Sequence, residues 1–306
     1  MIAVPEQLKG RDFLRVTDWS REELLACLDL ADRLKAAQRA GEEQRLLPGR
    51  TLGMIFQKPS TRTRVSFEAG IAQLGGTGLH LSASDLQLGR GETIRDTALV
   101  LSRYLDAIMI RTFAQSDVEE LATHADVPVI NGLTDATHPC QALADAMTIR
   151  ERLGRLEGVR IAYVGDGNNV LHSLAAICNR LGMSIVAATP EGYEPDPGEA
   201  ERAGGIELVR DPQEAARGAD VLYTDVWTSM GQEDERDSRL RAFAGYQVNA
   251  ELLAVSAPEA IVLHCLPAHY GEEITEDVAY GPRSALWDEA ENRLHAQKAL
   301  LALVVR

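Results

Sequence analysis

The chain has 306 residues, with 31 lysines and arginines against 46 aspartates and glutamates, for a formal charge of −15. Hydrophobic residues make up 45% and charged residues 25%, which excludes a disordered chain and fits a globular protein whose length suggests two domains. The acidic excess argues against general binding to nucleic acid or to anionic membranes, so an anionic substrate needs a locally basic pocket.

The first periodic segment, 20–39, opens with Ser20 and carries Glu23 three positions later, a capping-box start. Leu24, Leu25, Leu28, Leu30, Ala31 and Leu34 give it a broad apolar stripe at helical spacing. TLGMIF (51–56) reads as a short buried strand. Pro59-Ser60 then starts a helix that Gly75-Gly76 stops. LHLSA (79–83) is a strand, 92–105 an amphipathic helix, and DAIMIRT (106–112) a strand. A helix over 117–125 and a strand over VPVING (127–132) follow. This β-α-β-α-β-α-β order implies a largely parallel, helix-covered sheet.

A second run begins with a helix over 138–154, ended by Gly154. VRIAYVGDG (159–167) is a strand entering a glycine-containing turn, 168–182 a helix, and 183–189 a strand. A helix over 211–219, strands over 220–226 and 260–267, and a final helix from 284 complete the chain. The charged segment 228–242, with Gly231 near its start, reads as a mobile surface loop of the kind that often carries function. The expected fold is α/β, with two domains that are each a parallel-sheet three-layer α/β unit, linked by interdomain helices. The domain change is expected near 138–150.

No stretch approaches the ~20 apolar residues of a membrane span. The opening MIAVPEQLKGRDFL lacks the basic-then-apolar pattern of a leader, which makes a cytoplasmic location the default. Cys27, Cys140, Cys178 and Cys265 are scattered and form no C-x-x-C, so neither a zinc site nor a disulfide framework is indicated.

Two groups of residues carry chemistry. Ser60-Thr61-Arg62-Thr63-Arg64 sits where a strand loop becomes a helix, and free backbone N–H groups and the positive end of the helix dipole favour an anion there. A single S-T-R is best read as a cap followed by solvated arginines. Five consecutive donors in an acidic protein point instead to an anion cradle, with Lys58 adding charge. Arg111, at a strand end, and His138 with Gln141, on one face of a helix start, are able to join it. In the Gly-flanked segment LQLGRGET (86–93), Gln87 and Arg90 are expected to be exposed. The second group lies at three more strand ends: Asn168-Asn169, then Asp225 leading into Trp227-Thr228-Ser229-Met230-Gly231, then His264-Cys265-Leu266-Pro267. Asp225 suits an ammonium group, and Cys265 is a polarisable contact. The VGDGNN turn does not make a dinucleotide site. Val170 stands where the third glycine belongs, and Thr189-Pro190 where an acidic residue would hold a ribose.

STRTR (60–64), HPCQALAD (138–145), DVWTSMG (225–231) and HCLPAH (264–269) resemble motifs of the transcarbamylase family, the aspartate/ornithine carbamoyltransferases. FQKPSTRTRVSFEAGIAQLGG, LGRGETIRDTALVLSRYLDAI, GDGNNVLHS and ENRLHAQKA are similar too, in the same order, so the resemblance covers nearly the whole chain. S-T-R-T-R with H-P-x-Q marks the superfamily, and D-x-W-x-S-M-G with H-C-L-P marks the branch that uses ornithine.

The resemblance implies a carbamoyl phosphate-binding domain made of 1–138 plus 286–306, with a returning C-terminal helix, and an ornithine-binding domain over 139–285. Ser60, Thr61, Arg62 and Thr63 would bind the phosphate of carbamoyl phosphate. Arg111, His138 and Gln141 would hold its carbamoyl group. Cys265 and Leu266 would line the junction of the two substrates, and Arg293 would return to the carbamoyl phosphate site. Gln87 would reach in from a neighbouring subunit of a homotrimer. Asn169, or Asn168 by spacing alone, would bind ornithine with Asp225, Ser229 and Met230. Arg62, Arg111, His138, Asp225 and Cys265 would carry the catalysis. No cofactor or metal is implied, and the partners are the two small substrates. The implied activity is transfer of a carbamoyl group to the δ-amine of ornithine in arginine biosynthesis, with putrescine or an acylated ornithine as the alternative acceptor.

Overall fold

A computed structural model describes residues 2–82 and 91–306. The chain divides into two compact units: residues 1–147 with 291–306, and residues 148–290.

The first unit begins with helix α1 (Arg21–Arg39). Ser20 caps it as its spacing predicts: the Ser20 Oγ accepts from Glu23 N at 3.2 Å and the Glu23 carboxylate accepts from Ser20 N at 2.8 Å. Then follow β1 (Thr51–Phe56), α2 (Thr61–Gln73), β2 (Thr77–Ser82), α3 (Ile94–Leu101), β3 (Ala107–Arg111), α4 (Gln115–His124), β4 (Val129–Leu133) and α5 (Pro139–Leu153). Their sheet is wholly parallel, in the order β2-β1-β3-β4. Ile55, Ile108, Ile110 and Val129 pack with Ala98, Leu105, Val118 and Leu121 in its core. The chain leaves β1 towards β2 on one side and returns to β3 on the other, so the order reverses between β1 and β3. Parallel α/β sheets hold ligands at that point, beyond the carboxyl ends of the strands.

The second unit contains β5 (Arg160–Val164), α6 (Asn169–Leu181), β6 (Ser184–Ala188), α7 (Pro197–Arg202), β7 (Glu207–Val209), α8 (Pro212–Ala216), β8 (Val221–Thr224), α9 (Arg236–Ala242), α10 (Ala250–Val255), β9 (Ile261–His264) and α11 (Glu276–Ala279). Its sheet is also wholly parallel, in the order β7-β6-β5-β8-β9, with the reversal between β5 and β8. Ala162, Val164, Val186, Leu222 and Val262 form the apolar body of this sheet. The last helix, α12 (Leu286–Val304), starts in the second unit and ends in the first, and α5 likewise crosses from the first to the second. In the first unit Lys9 donates from Nζ to Ala302 O at 2.9 Å and Val305 O at 2.6 Å. It thereby satisfies end-of-helix carbonyls with a cation.

Several segments differ from the sequence expectation. The helix expected over 92–105 ends at Leu101, and residues 102–104 form a turn. The helix expected over 211–219 is only the five residues of α8. α7, β7, α10 and α11 were not expected from the sequence. The segment 228–242 is no structureless loop: a 3-10 turn, Glu233–Glu235, leads into α9, and Arg239 is buried there. Arg90 and Gln87 lie outside the described residues.

Candidate active site

The first group of candidate residues stands at the β1–β3 reversal of the first unit. Ser60 is the N-cap of α2, its Oγ accepting from Thr63 N at 3.2 Å and donating to Thr63 Oγ1 at 3.1 Å. The cap has non-helical backbone angles, so the first turn, Thr61-Arg62-Thr63, presents its N–H groups at the end of the helix. Phe56 pairs with Arg111 in register, and Gln57 N donates to Arg111 O at 2.9 Å, so the loop leading to α2 starts beside Arg111.

A buried network ties α12 to this half. Arg293 donates from Nη1 to Gln141 Oε1 at 2.7 Å, from Nη2 to Thr63 Oγ1 at 3.2 Å and from Nε to Gln297 Oε1 at 3.0 Å. Gln141 passes on to Asp145 at 2.8 Å, and Gln297 to Ser66 at 2.7 Å. Ser66 Oγ closes the chain onto Arg62 O at 2.6 Å. The guanidinium expected to return from the last helix therefore shares hydrogen bonds with two other residues of the expected set.

His138 is buried just before α5. Burial first, then the charges of Arg293, Arg111 and Arg62, hold its imidazole well below the ordinary histidine pKa of 6.5. Three guanidiniums close enough to repel an imidazolium make a concentrated positive field, and the ring inside it is neutral at pH 7. A neutral ring donates a hydrogen bond without competing for an anion. His138 signals in an NMR titration should therefore show no protonation step at pH 6.5. The linkage has a definite sign. The unfolded ring binds a proton that the folded ring refuses, so this group removes stability as the pH falls below 6.5.

Two expected donors are engaged elsewhere. Lys58 Nζ pairs with Asp135 and lies 4.4 Å from the centre of the Phe113 ring, so its charge is neutralised by a residue 77 positions away. Arg64 is exposed and pairs with Glu68 one turn along α2 at 3.0 Å. Cys140, between His138 and Gln141, has its thiol pushed up to about 12 by burial, which makes it a packing group.

The second group of candidate residues stands at the β5–β8 reversal of the second unit. Gly165 has φ +147°, and a Cβ on Gly167 would lie 2.2 Å from Pro195 N. The glycines of VGDGNN thus serve a tight turn and a close backbone approach. Asn168 is the N-cap of α6, its Oδ1 accepting from Val170 N at 3.0 Å and Leu171 N at 3.3 Å. That fixes its amide, and Nδ2 donates to Asp225 Oδ2 at 2.7 Å. The Cys265 thiol donates to Asp225 Oδ1 at 3.0 Å. The structure therefore joins Asn168, Asp225 and Cys265 directly, with Asn169 next along α6. Leu266, at φ +59°, donates from its N to His264 Nδ1 at 2.9 Å, and His264 Nε2 meets Glu273 Oε1 at 3.1 Å. The neutral tautomer with the proton on Nε2 satisfies both bonds. Ser229 and Met230 follow Asp225 in a loop whose turn is closed by Ser229 N to Gln232 Oε1 at 3.1 Å; Met230 is exposed, and Gly231 has φ +93°.

Arg239 is a residue the sequence reading missed. It donates from Nη1 to Asp166 Oδ2 and to Trp227 O, both at 3.0 Å, and from Nε to Glu235 at 3.0 Å, and it lies over the Tyr193 ring. Burial, opposed by Arg239, pushes the Asp166 carboxyl up to about 6. Nothing local in 228–242 marks this arginine as buried. Arg239→Met should cost roughly 3–5 kcal/mol in urea unfolding at neutral pH by stranding Asp166. The loss should shrink as the pH is lowered and Asp166 takes up a proton. A loss that does not change with pH would show that packing, and not the charge, is what Arg239 supplies.

Among the described residues, two groups bring three metal-type ligand atoms within 4.8 Å of one another: Asp225, His264 and Cys265, and His269, Glu272 and Glu273. In the first, the hydrogen bonds already described use these atoms on one another and on Leu266.

The fold and its two groups of candidate residues define a parallel-sheet α/β enzyme of two domains. The chain belongs to the aspartate/ornithine carbamoyltransferase family: the family's carbamoyl-P binding domain matches residues 11–151 and its Asp/Orn binding domain residues 157–304. It is 58% identical over 306 residues to an ornithine carbamoyltransferase of Thermococcus kodakarensis, covering 97% of each chain. It is 57% identical to an anabolic ornithine carbamoyltransferase of Pyrococcus furiosus, covering 97% of each chain. The ornithine carbamoyltransferase structure from P. furiosus superposes with a TM-score of 0.94 at 56% identity and 99% coverage of both chains. That from Thermus thermophilus gives 0.89 at 45% identity, covering 99% of this chain and 100% of that one.

Proposed function

We infer that the chain transfers the carbamoyl group of carbamoyl phosphate to the δ-amine of L-ornithine, giving L-citrulline and phosphate, as an anabolic enzyme of arginine biosynthesis. The observation that carries this reading is the neutral His138 among Arg62, Arg111 and Arg293, beside the capped start of α2. Such a field suits a phosphorylated donor whose carbonyl oxygen gains negative charge during reaction. The family match and the relatives' names support the same conclusion.

Ser60, Thr61, Arg62 and Thr63 take the phosphate, and Arg111, His138 and Gln141 the carbamoyl group. Arg293 fixes Gln141 and Thr63 for this task. The uncharged δ-amine attacks the carbamoyl carbon, a tetrahedral intermediate forms, and phosphate leaves with the electron pair of the broken C–O bond. Arg111, His138 and Thr63 stabilise the oxygen, at ~3–4 kcal/mol per donor. The departing phosphate accepts the amine proton. Asn169, Asp225, Ser229 and Met230 bind ornithine, with Asp225 on its α-ammonium group. Met230 and Gly231 close over the bound substrate and exclude water. Cys265, bonded to Asp225, orients the acceptor, and Leu266 continues that wall. No covalent enzyme intermediate is needed, and positioning of two bound substrates supplies much of the acceleration. Cys265→Ser, which keeps a donor towards Asp225, should retain substantial turnover. Complete loss with both substrates still bound would assign the thiol a covalent role.

The first unit with α12 is the carbamoyl phosphate-binding domain in this reading, and the second binds ornithine. The working assembly is a homotrimer in the cytoplasm, and Gln87 is assigned to a neighbouring subunit's site. No helix among the described residues is long and apolar enough to cross a membrane. Citrulline formation with L-ornithine, putrescine, N-acetylornithine and L-aspartate in parallel tests the proposal. Strong preference for ornithine is expected. Product with another acceptor would keep the donor site and overturn the roles of Asp225, Ser229 and Met230.

A further inference from the structure

The segment after β9 turns sharply. Glu272 N donates to His269 O at 2.9 Å and Gly271 N to Ile274 O at 2.9 Å. Gln247 Nε2 donates to Gly271 O at 2.9 Å and Glu272 O at 2.8 Å, and Val248 N donates to Glu273 O at 2.8 Å. The backbone from 269 to 273 is thus held from outside. It gathers an imidazole and two carboxylates whose ligand atoms lie within 4.8 Å of one another.

Glu273 is wholly buried, and its two oxygens are treated unequally. Oε1 meets His264 Nε2 at 3.1 Å and accepts from His269 N at 2.5 Å. Oε2 is buried with no hydrogen-bond partner, and His269 Nδ1 stands 3.8 Å from it, too far for a hydrogen bond. The His269 ring is about half exposed, which leaves this pair open to solvent from one side. Glu272 gives Oε1 to Arg236, an exposed pair that water and salt weaken.

We propose that His269 Nδ1, Glu273 Oε2 and the carboxylate of Glu272 bind a divalent transition-metal cation of the zinc class, at a site apart from both groups of proposed substrate residues. One imidazole nitrogen and two carboxylates suit such an ion. Ligands bonded at ~2.0–2.2 Å and set tetrahedrally stand ~3.3–3.6 Å apart. The 3.8 Å between His269 Nδ1 and Glu273 Oε2 closes to that spacing with a small side-chain movement. The ion would satisfy the partnerless oxygen. His264, on the other oxygen of the same carboxylate, holds that carboxylate in place, the support that metal-bound carboxylates usually have. Through Glu273 and His264 the ion would also brace the turn at Leu266, whose N–H ends on His264.

Cobalt(II) titration of the full chain tests this, because cobalt reports its ligands in absorption spectra. The expected result is saturable binding of one ion per chain, with visible ligand-field bands and no thiolate-to-metal charge-transfer band. His269→Ala and Glu273→Gln should each weaken binding about tenfold or more, with unchanged circular dichroism. Cys265→Ser should leave the spectrum as it is. Charge-transfer absorption that vanishes in Cys265→Ser would place the ion on the thiol and overturn the assignment. So would bands that persist at full strength in His269→Ala, or the lack of any saturable binding. None of these readouts depends on carbamoyl transfer.

Discussion

Arg62→Ala should lower kcat/KM by about 10²–10³-fold with the melting temperature essentially unchanged. Arg62 is half-buried in the first turn of α2, where, on the proposed assignment, its guanidinium and the helix end act on the same anion. Its part in the buried network is its carbonyl, which accepts from Ser66 Oγ at 2.6 Å and survives in alanine. The substitution therefore removes charge and spares packing. Arg293→Ala is the informative contrast. It strips partners from Gln141, Thr63 and Gln297 together, all of them buried, so activity and stability should fall in step. Steady-state kinetics with thermal unfolding of both variants separates the two cases. Near-normal turnover in Arg62→Ala would sink the cradle assignment.

Asp225→Asn should raise the KM for ornithine about 10–100-fold and change carbamoyl phosphate binding little. The geometry makes this substitution mainly a test of charge. The cap duties of Asn168 fix its Nδ2 towards residue 225, so an asparagine there turns its oxygen to that donor and its own amide to Cys265. The hydrogen bonds are conserved in number, while the carboxylate that answers an ammonium group is gone. Titration calorimetry with each substrate decides the matter, and equal losses for both would count against an ornithine role.

Both parallel sheets were legible because their central strands, buried on two faces, read as short apolar runs such as TLGMIF and IAYV between helical stretches. The elements that escaped are short and polar. Glu207–Val209 is a three-residue edge strand, and Pro197–Arg202 is a helix with no buried residue. Within the site, residues tied to a strand end or a helix start were legible, since local rules place Ser60, Arg111 and His138 there. Long-range pairings were not. Nothing near Lys58 announces Asp135, and the charged run around Arg239 hides a buried arginine. Asn168 was open to a finer reading: an asparagine just before an apolar helical run is a cap signal, and the cap decides where its amide points.

The place of Arg293 in the chain has a consequence for synthesis. Thr63 and Gln141 leave the ribosome well before the arginine that ties them together, since it stands on α12. A growing chain is able to form the parallel sheet of its first half early, yet it holds Thr63 and Gln141 without their guanidinium until Arg293 has been made. On the proposed roles of Thr63 and Gln141, capacity for the donor substrate therefore waits for α12 and is not a property of the nascent sheet alone.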